Sequence, residues 1–186
     1  FLESHRDQLP TDLDVIGNRY ISAVSREMDG WLDTMDPKEP LGVMFSGGID
    51  SGAILLLLYD RLLKRGESPQ RLKAFTLCVD ESGEDLSQAS DFLKAVDLDM
   101  FLEAIHVSRE DLDISETIRV IEDYKPLDVQ SATMGLALCR GIRKRYPDWK
   151  YLLDGDGGDE NLRDYPIEEN PELTIRSVLS LSLIHI

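Results

Sequence analysis

The chain has 186 residues, is 42% hydrophobic and carries a formal net charge of −16. That length accommodates one domain with a full core. A surface this acidic repels phosphate backbones and anionic lipid headgroups, so no nucleic-acid or membrane partner is expected. The longest apolar run, Ala53 to Leu58, falls far short of the roughly 20 residues of a membrane span and fits a helix packed under a sheet. Cys78 and Cys139 lie in apolar runs without CxxC spacing. They are expected as buried, unpaired thiols, a usage that fits a reducing cytoplasm.

Leu13, Ile16, Tyr20, Val24, Met28 and Trp31 recur at three- and four-residue steps, the apolar face of an amphipathic helix that Pro37 and Pro40 end. Residues 42–45 read as a short buried strand, 46–50 as a glycine-rich turn, and 51–65 as a helix closed by Gly66. A second strand is predicted over 72–78, a helix on Leu86, Ala89, Leu93 and Val96, and a third strand over 101–107. Ser108 with Asp111 three residues on has the form of a helix cap. A helix follows to about Tyr124, Lys125-Pro126 breaks it, and residues 131–145 form the next helix. A fourth strand over 149–153 runs into Asp154-Gly155-Asp156-Gly157-Gly158-Asp159-Glu160, and Asn170-Pro171-Glu172 opens a further helix.

This alternation predicts an α/β fold with a mostly parallel, twisted sheet covered by helices on both faces. Ligands bind at the carboxyl ends of the strands in such sheets. The loops at 46–51 and 154–160 both follow strands, so they are expected on the same edge.

Ser46-Gly47-Gly48-Ile49-Asp50-Ser51 joins a strand to a helix. Adjacent glycines expose successive N–H groups to a ligand, and the helix N-terminus adds its positive dipole end. A bare phosphate would repel Asp50, which implies a cation between them, and Mg²⁺ with several waters is the natural choice. The Gly-Lys-Ser/Thr ending of a Walker loop is absent. In the second loop, Asp154, Asp156, Asp159 and Glu160 repel one another unless a cation or a cationic substrate sits among them. An EF-hand fails on spacing, since Tyr165 stands where the bidentate Glu belongs.

The first loop resembles the SGGxDS loop of the N-type ATP pyrophosphatases. Together the two loops resemble the synthetase domain of the asparagine synthetase B family and its β-lactam synthetase relatives, whose second loop has the form SGEGSDE. The resemblance covers roughly residues 10 to 175. It implies a Rossmann-like domain of the adenine nucleotide α-hydrolase type that adenylates a carboxylate with ATP and Mg²⁺, releases pyrophosphate and forms an amide. It also implies a cytoplasmic enzyme with a small amino-acid or carboxylate substrate, and a glutaminase domain or other ammonia source outside this chain. By the same resemblance, Asp50 and Asp159 would hold Mg²⁺. Ser46, Gly47, Gly48 and Ser51 would bind phosphates, and Met44, Leu77 and Gly155 would line the adenosine pocket. Asp156 and Glu160 would be catalytic, with Asp156 standing where the family has a Glu that assists proton transfer from the attacking amine.

Asp154 departs from the family, replacing a serine that touches the nucleotide, and so does Gln130, replacing an arginine near the acceptor site. Losing that guanidinium removes a carboxylate clamp, so the acceptor is left open between aspartate and a related acid. Lys125 is read as a surface lysine and His106 as a structural histidine. Two other readings stay open on sequence alone: another N-type ATP pyrophosphatase, and an ATP-binding module without turnover. The ends suggest a fragment, with residues 1–180 an incomplete synthetase-type domain. The tail Leu181-Ser182-Leu183-Ile184-His185-Ile186 back-translates to a transposon end used in sequencing adapters. A natural coding sequence running through Ile186 would refute that reading of the tail.

Overall fold

In the computed structural model, residues 10–80 and 84–158 are described. Helix α1 (Leu13–Leu32) starts where Asp12 accepts a hydrogen bond from the Val15 N–H at 3.1 Å. Strand β1 (Leu41–Met44) leads into α2 (Ile49–Lys64), followed by β2 (Leu72–Val79), α3 (Glu84–Ala95) and β3 (Leu102–Val107). Then come α4 (Ile114–Ile121), α5 (Pro126–Arg145) and β4 (Tyr151–Leu153). The expected helix at 170–172 and the tail at 181–186 lie outside the described residues.

The chain divides into two compact units, residues 1–39 with 56–71, and 40–55 with 72–186. In the first, Met28, Leu32, Leu58 and Leu62 are buried. Arg61 pairs with Asp29 at 3.5 Å, and Arg65 with Asp33 at 2.8 Å and Glu67 at 2.7 Å. Arg71 donates to the carbonyls of Asp36 and Glu39 and so holds the segment that follows α1. The periodicity of α1 predicts the helix correctly, but the stripe is covered only at its C-terminal end. Leu13 is 82% exposed, and Ile16 and Tyr20 are exposed as well. A sequence period identifies a face that can be buried, not what covers it.

The second unit contains a four-stranded, all-parallel sheet in the order β3-β2-β1-β4. The chain winds from β1 through β2 to β3, then returns to place β4 on the other side of β1. This is a Rossmann-like arrangement whose switch point, where the winding direction reverses, lies between β1 and β4. Helix α5 covers one face. Its Leu138 and Ile142 pack with Phe75, Ile105 and Trp149. Side chains alternate along a strand, so Ala74, Thr76 and Cys78 point to the opposite face, and α3 packs against β2 and β3. Near-continuous burial along β2 is what a parallel strand covered on both faces requires.

Several boundaries differ from expectation. Pro126 does not merely break a helix but opens α5 as its first residue, because proline lacks the N–H that the first turn cannot use. Ser108 and Asp111 form a capping box on a single 3₁₀ turn, and the true cap of α4 is Asp113, whose carboxylate accepts from the Glu116 N–H at 2.9 Å. Trp149 precedes β4; its indole N–H reaches the Tyr151 carbonyl at 2.9 Å and its ring meets Phe75 edge-on. Cys78 is buried as expected, whereas Cys139 is exposed because it lies off the face of α5 that meets the sheet. His106, expected as a structural histidine, is exposed on β3.

At the amino edge of the sheet, Glu103 receives Lys73 at 2.8 Å and Arg145 at 2.9 Å. Burial acts to raise the Glu103 pKa, but hydrogen bonds from Lys73 and Tyr146 and the charges of Lys73 and Arg145 overcome it, and the net direction is down. A carboxylate depressed on folding stabilises above its unfolded pKa, and that stability fades as pH falls through the folded value. Glu103→Gln is therefore expected to cost about 1–2 kcal/mol at neutral pH. The difference in thermal midpoint from the wild-type chain should shrink below about pH 4. A difference that is constant down to pH 2 would contradict this account.

Candidate nucleotide site

The site begins with the way β1 ends. The Phe45 N–H continues the ladder to the Phe75 carbonyl at 2.8 Å, and the buried Thr76 hydroxyl donates to the Phe45 carbonyl at 2.8 Å. Both backbone groups of Phe45 are thereby fixed, and its ring meets Phe92 of α3 edge-on at 5.5 Å. The loop at 46–50 leaves the sheet from a rigid point.

Gly47 has φ +80°, and a Cβ there would fall 2.6 Å from the Ala89 backbone nitrogen. This glycine is required by a left-handed turn and by the passage of α3 behind it. These constraints come in addition to the expected one, exposure of the backbone N–H groups to a ligand. Gly48 has room, since an added Cβ would meet only the Ser46 hydroxyl, at 3.2 Å. Helix α2 starts at Ile49, two residues earlier than expected, with its first turn closed by the Gly52 N–H to Gly48 carbonyl bond at 2.9 Å. Asp50 and Ser51 thus stand in that first turn, where the helix dipole favours an anion. The two serine hydroxyls lie 3.2 Å apart; Ser46 Oγ accepts from the Gly48 N–H at 3.2 Å and Ser51 Oγ donates to the Gly48 carbonyl at 3.4 Å. These bonds are long and weak, and their donors can turn to a ligand at small cost.

The second loop leaves β4 and lands on the first. A Cβ on Gly155 would fall 2.6 Å from the Ser51 backbone nitrogen and 2.8 Å from the Asp50 carbonyl carbon. A Cβ on Gly158 would fall 2.2 Å from Asp50 Oδ1. Two segments about a hundred residues apart in sequence are therefore in direct contact, backbone against backbone, at the β1/β4 switch point.

They border an open cleft of about 1480 Å³. Of the residues predicted for the site, Met44, Ser46, Asp50, Ser51, Leu77, Asp154, Gly155 and Asp156 line it. Gly47 and Gly48 do not, and Asp159 and Glu160 lie outside the described residues. One wall is the N-terminal half of α5, through Leu127, Asp128, Ser131 and Met134, and Arg109 also lines the cleft. The sequence reading missed this wall because a helix face acquires a function only from what it is placed against. Gln130 is exposed and is not among the described lining residues. Lys125 is held by Asp123 at 3.3 Å and Asp128 at 3.6 Å.

The residues suit a magnesium-bound triphosphate on one specific ground: the Asp50 carboxylate borders the cleft at a helix start, beside backbone that glycine leaves uncovered. Among the described residues no three acidic, histidine or cysteine side chains are gathered around a metal position. An ion held mainly by phosphates and water needs only one or two carboxylates. Asp154 acts on its surroundings as well: although Cys139 as a residue is exposed, partial burial of its thiol, and then the Asp154 charge, push that thiol above its ordinary range.

Two outcomes follow from this packing. Gly155→Ala should destabilise the chain by about 1–3 kcal/mol, because the added methyl meets backbone that cannot rotate away. Gly158→Ala should cost less, since the Asp50 side chain can turn. Equal midpoints for wild type and Gly155→Ala in chemical denaturation would show that the loops do not touch. Asp154→Asn should bring the Cys139 thiol part of the way back toward its ordinary pKa, read from the pH dependence of alkylation at that cysteine; an unmoved profile would separate the two groups.

Comparison with known proteins agrees with this geometry. The sequence profile of the family described as asparagine synthase matches residues 33–182. A probable glutamine-hydrolysing asparagine synthetase of Dictyostelium discoideum is 26% identical over 132 residues, which cover 68% of this chain and 23% of that protein. The chain thus spans less than a quarter of that relative's length. With the profile matching most of its residues, this chain belongs to the asparagine synthase family.

Proposed function

We propose that the cleft binds ATP with Mg²⁺ and that the full protein adenylates a small carboxylate substrate and converts it to an amide. The observation that carries this reading is the packing of Gly155 and Gly158 onto Asp50 and Ser51, which gives the β1/β4 switch point two ligand-facing loops rather than one. Ser46, Ser51 and the loop N–H groups bind the phosphates. Met44, Leu77 and Gly155 enclose the adenosine, with Asp154 beside it.

Asp50, with Asp159, would hold the Mg²⁺, which when bound neutralises the charge of the departing pyrophosphate. A substrate carboxylate oxygen attacks the α-phosphorus, and the bond to the β-phosphate breaks with its electron pair leaving on pyrophosphate. An amine nitrogen then attacks the acyl carbon, and the bond to AMP breaks. The nitrogen gives up a proton to Asp156, an exposed carboxylate on the cleft border, with Glu160 in the same acidic loop. The Dictyostelium protein is described as glutamine-hydrolysing, so glutamine is the proposed nitrogen source, through a glutaminase activity outside this chain. Among the described residues no helix is long and apolar enough to cross a membrane, and the proposed site of action is the cytoplasm.

Asp50→Asn should weaken Mg²⁺-dependent ATP binding by about tenfold or more while leaving the fold intact. Asp159→Asn should do the same. Unchanged affinity in both would remove the metal assignment. The full-length protein should release AMP and pyrophosphate with one amino acid from a panel. ATP binding with no AMP from any acid would identify a non-catalytic module instead.

A further inference from the structure

Arg109 is the one cation among the described residues that line the cleft; the other charged groups there are Asp50, Asp85, Asp128, Asp154 and Asp156. Its backbone is fixed and its side chain is largely exposed. The Arg109 N–H donates to Asp80 Oδ1 at 3.0 Å, while the guanidinium stands 3.7 Å from the same carboxylate with 82% of the side chain exposed. Asp80 is itself fixed: its φ is +53° and its N–H donates to the Val107 carbonyl at 2.9 Å.

The register decides what Arg109 can reach. Strand β1 ends at Met44, level with Phe75, whereas β2 and β3 continue together to the pair Val79–Val107. Four further residues carry that ribbon roughly 13 Å past the end of β1. Two strand spacings, roughly 10 Å, separate β3 from β1 across the sheet. Arg109 therefore stands above the β2–β3 end of the cleft rather than over the loop at 46–51. Beneath it the lining is apolar, with Leu77, Val79 and Leu112. A flat aromatic ring between an apolar floor and a guanidinium is the arrangement in which cation–π stacking gains most, because the ring face is shielded from water.

Resting on the ATP reading above, we propose that Arg109 leaves Asp80 and closes over the nucleobase, stacking on its face and holding the base against Leu77. Arg109 is thus a nucleotide-positioning residue rather than a phosphate ligand.

The test measures binding of Mg·ATP and of Mg·tripolyphosphate, the same charged end without base or ribose, to the full chain and to Arg109→Ala and Arg109→Lys. Arg109→Ala should weaken ATP about fivefold and leave tripolyphosphate unchanged, with Arg109→Lys intermediate because the planar fork is lost. Equal loss for both ligands would make Arg109 a phosphate contact and overturn the proposal. Wild-type affinity for ATP in Arg109→Ala would overturn it too, leaving the ATP site itself standing. If the folded wild-type chain binds neither ligand, the nucleotide reading fails and this one with it.

Discussion

The site exists because β4 lies beside β1 and its loop comes to rest on the start of α2 with nothing but glycine between them. Gly155 against the Ser51 backbone and Gly158 against the Asp50 carboxylate are approaches that no side chain would permit. Part of the cleft's polar lining follows from them. The glycines bring Asp154 and Asp156 to the border of the same cleft as Asp50. Parallel strand order supplies the coarse placement at the switch point, and the glycines supply the last few ångströms.

The rest of the fold serves to make that junction rigid. Thr76 and Phe75 fix both backbone groups of Phe45. The α3 backbone closes behind Gly47, and Phe92 reaches so near Gly52 that an added Cβ would lie 2.6 Å from its ring. On the other face, the Phe75–Trp149 pair anchors the approach to β4. The phosphate binding proposed for this loop calls for such support, because donors aimed in advance interact with a charged ligand without a further ordering cost.

Much of this was legible in the sequence, for identifiable reasons. Alternating strand and helix periods predicted the α/β class, and Ser46 to Ser51 after a short apolar run predicted the strand–turn–helix. Local signals failed where a residue's role depended on its distant neighbour. Pro126 reads equally as the end of one helix and the start of the next. The Leu13–Tyr20 stripe has the period of a buried face and is exposed. Gly47 read only as part of a ligand loop, and the α3 backbone behind it, a second reason for glycine there, carried no local signal. The α5 wall of the cleft carried no signal at all, since Leu127, Ser131 and Met134 are unremarkable residues until the β3-to-β4 crossover sets them opposite the loops.

The account's central claim is that the two loops share one metal-bound nucleotide. A crystal structure of the protein with a non-hydrolysable ATP analogue and Mn²⁺ tests it most directly, because the metal's anomalous signal locates it independently of the protein. The account predicts a peak bonded to an Asp50 oxygen at about 2.0–2.2 Å, phosphates over residues 46–51, and the base between Leu77 and Arg109. Manganese and nucleotide bound elsewhere, or touching one loop with the other uninvolved, would contradict it.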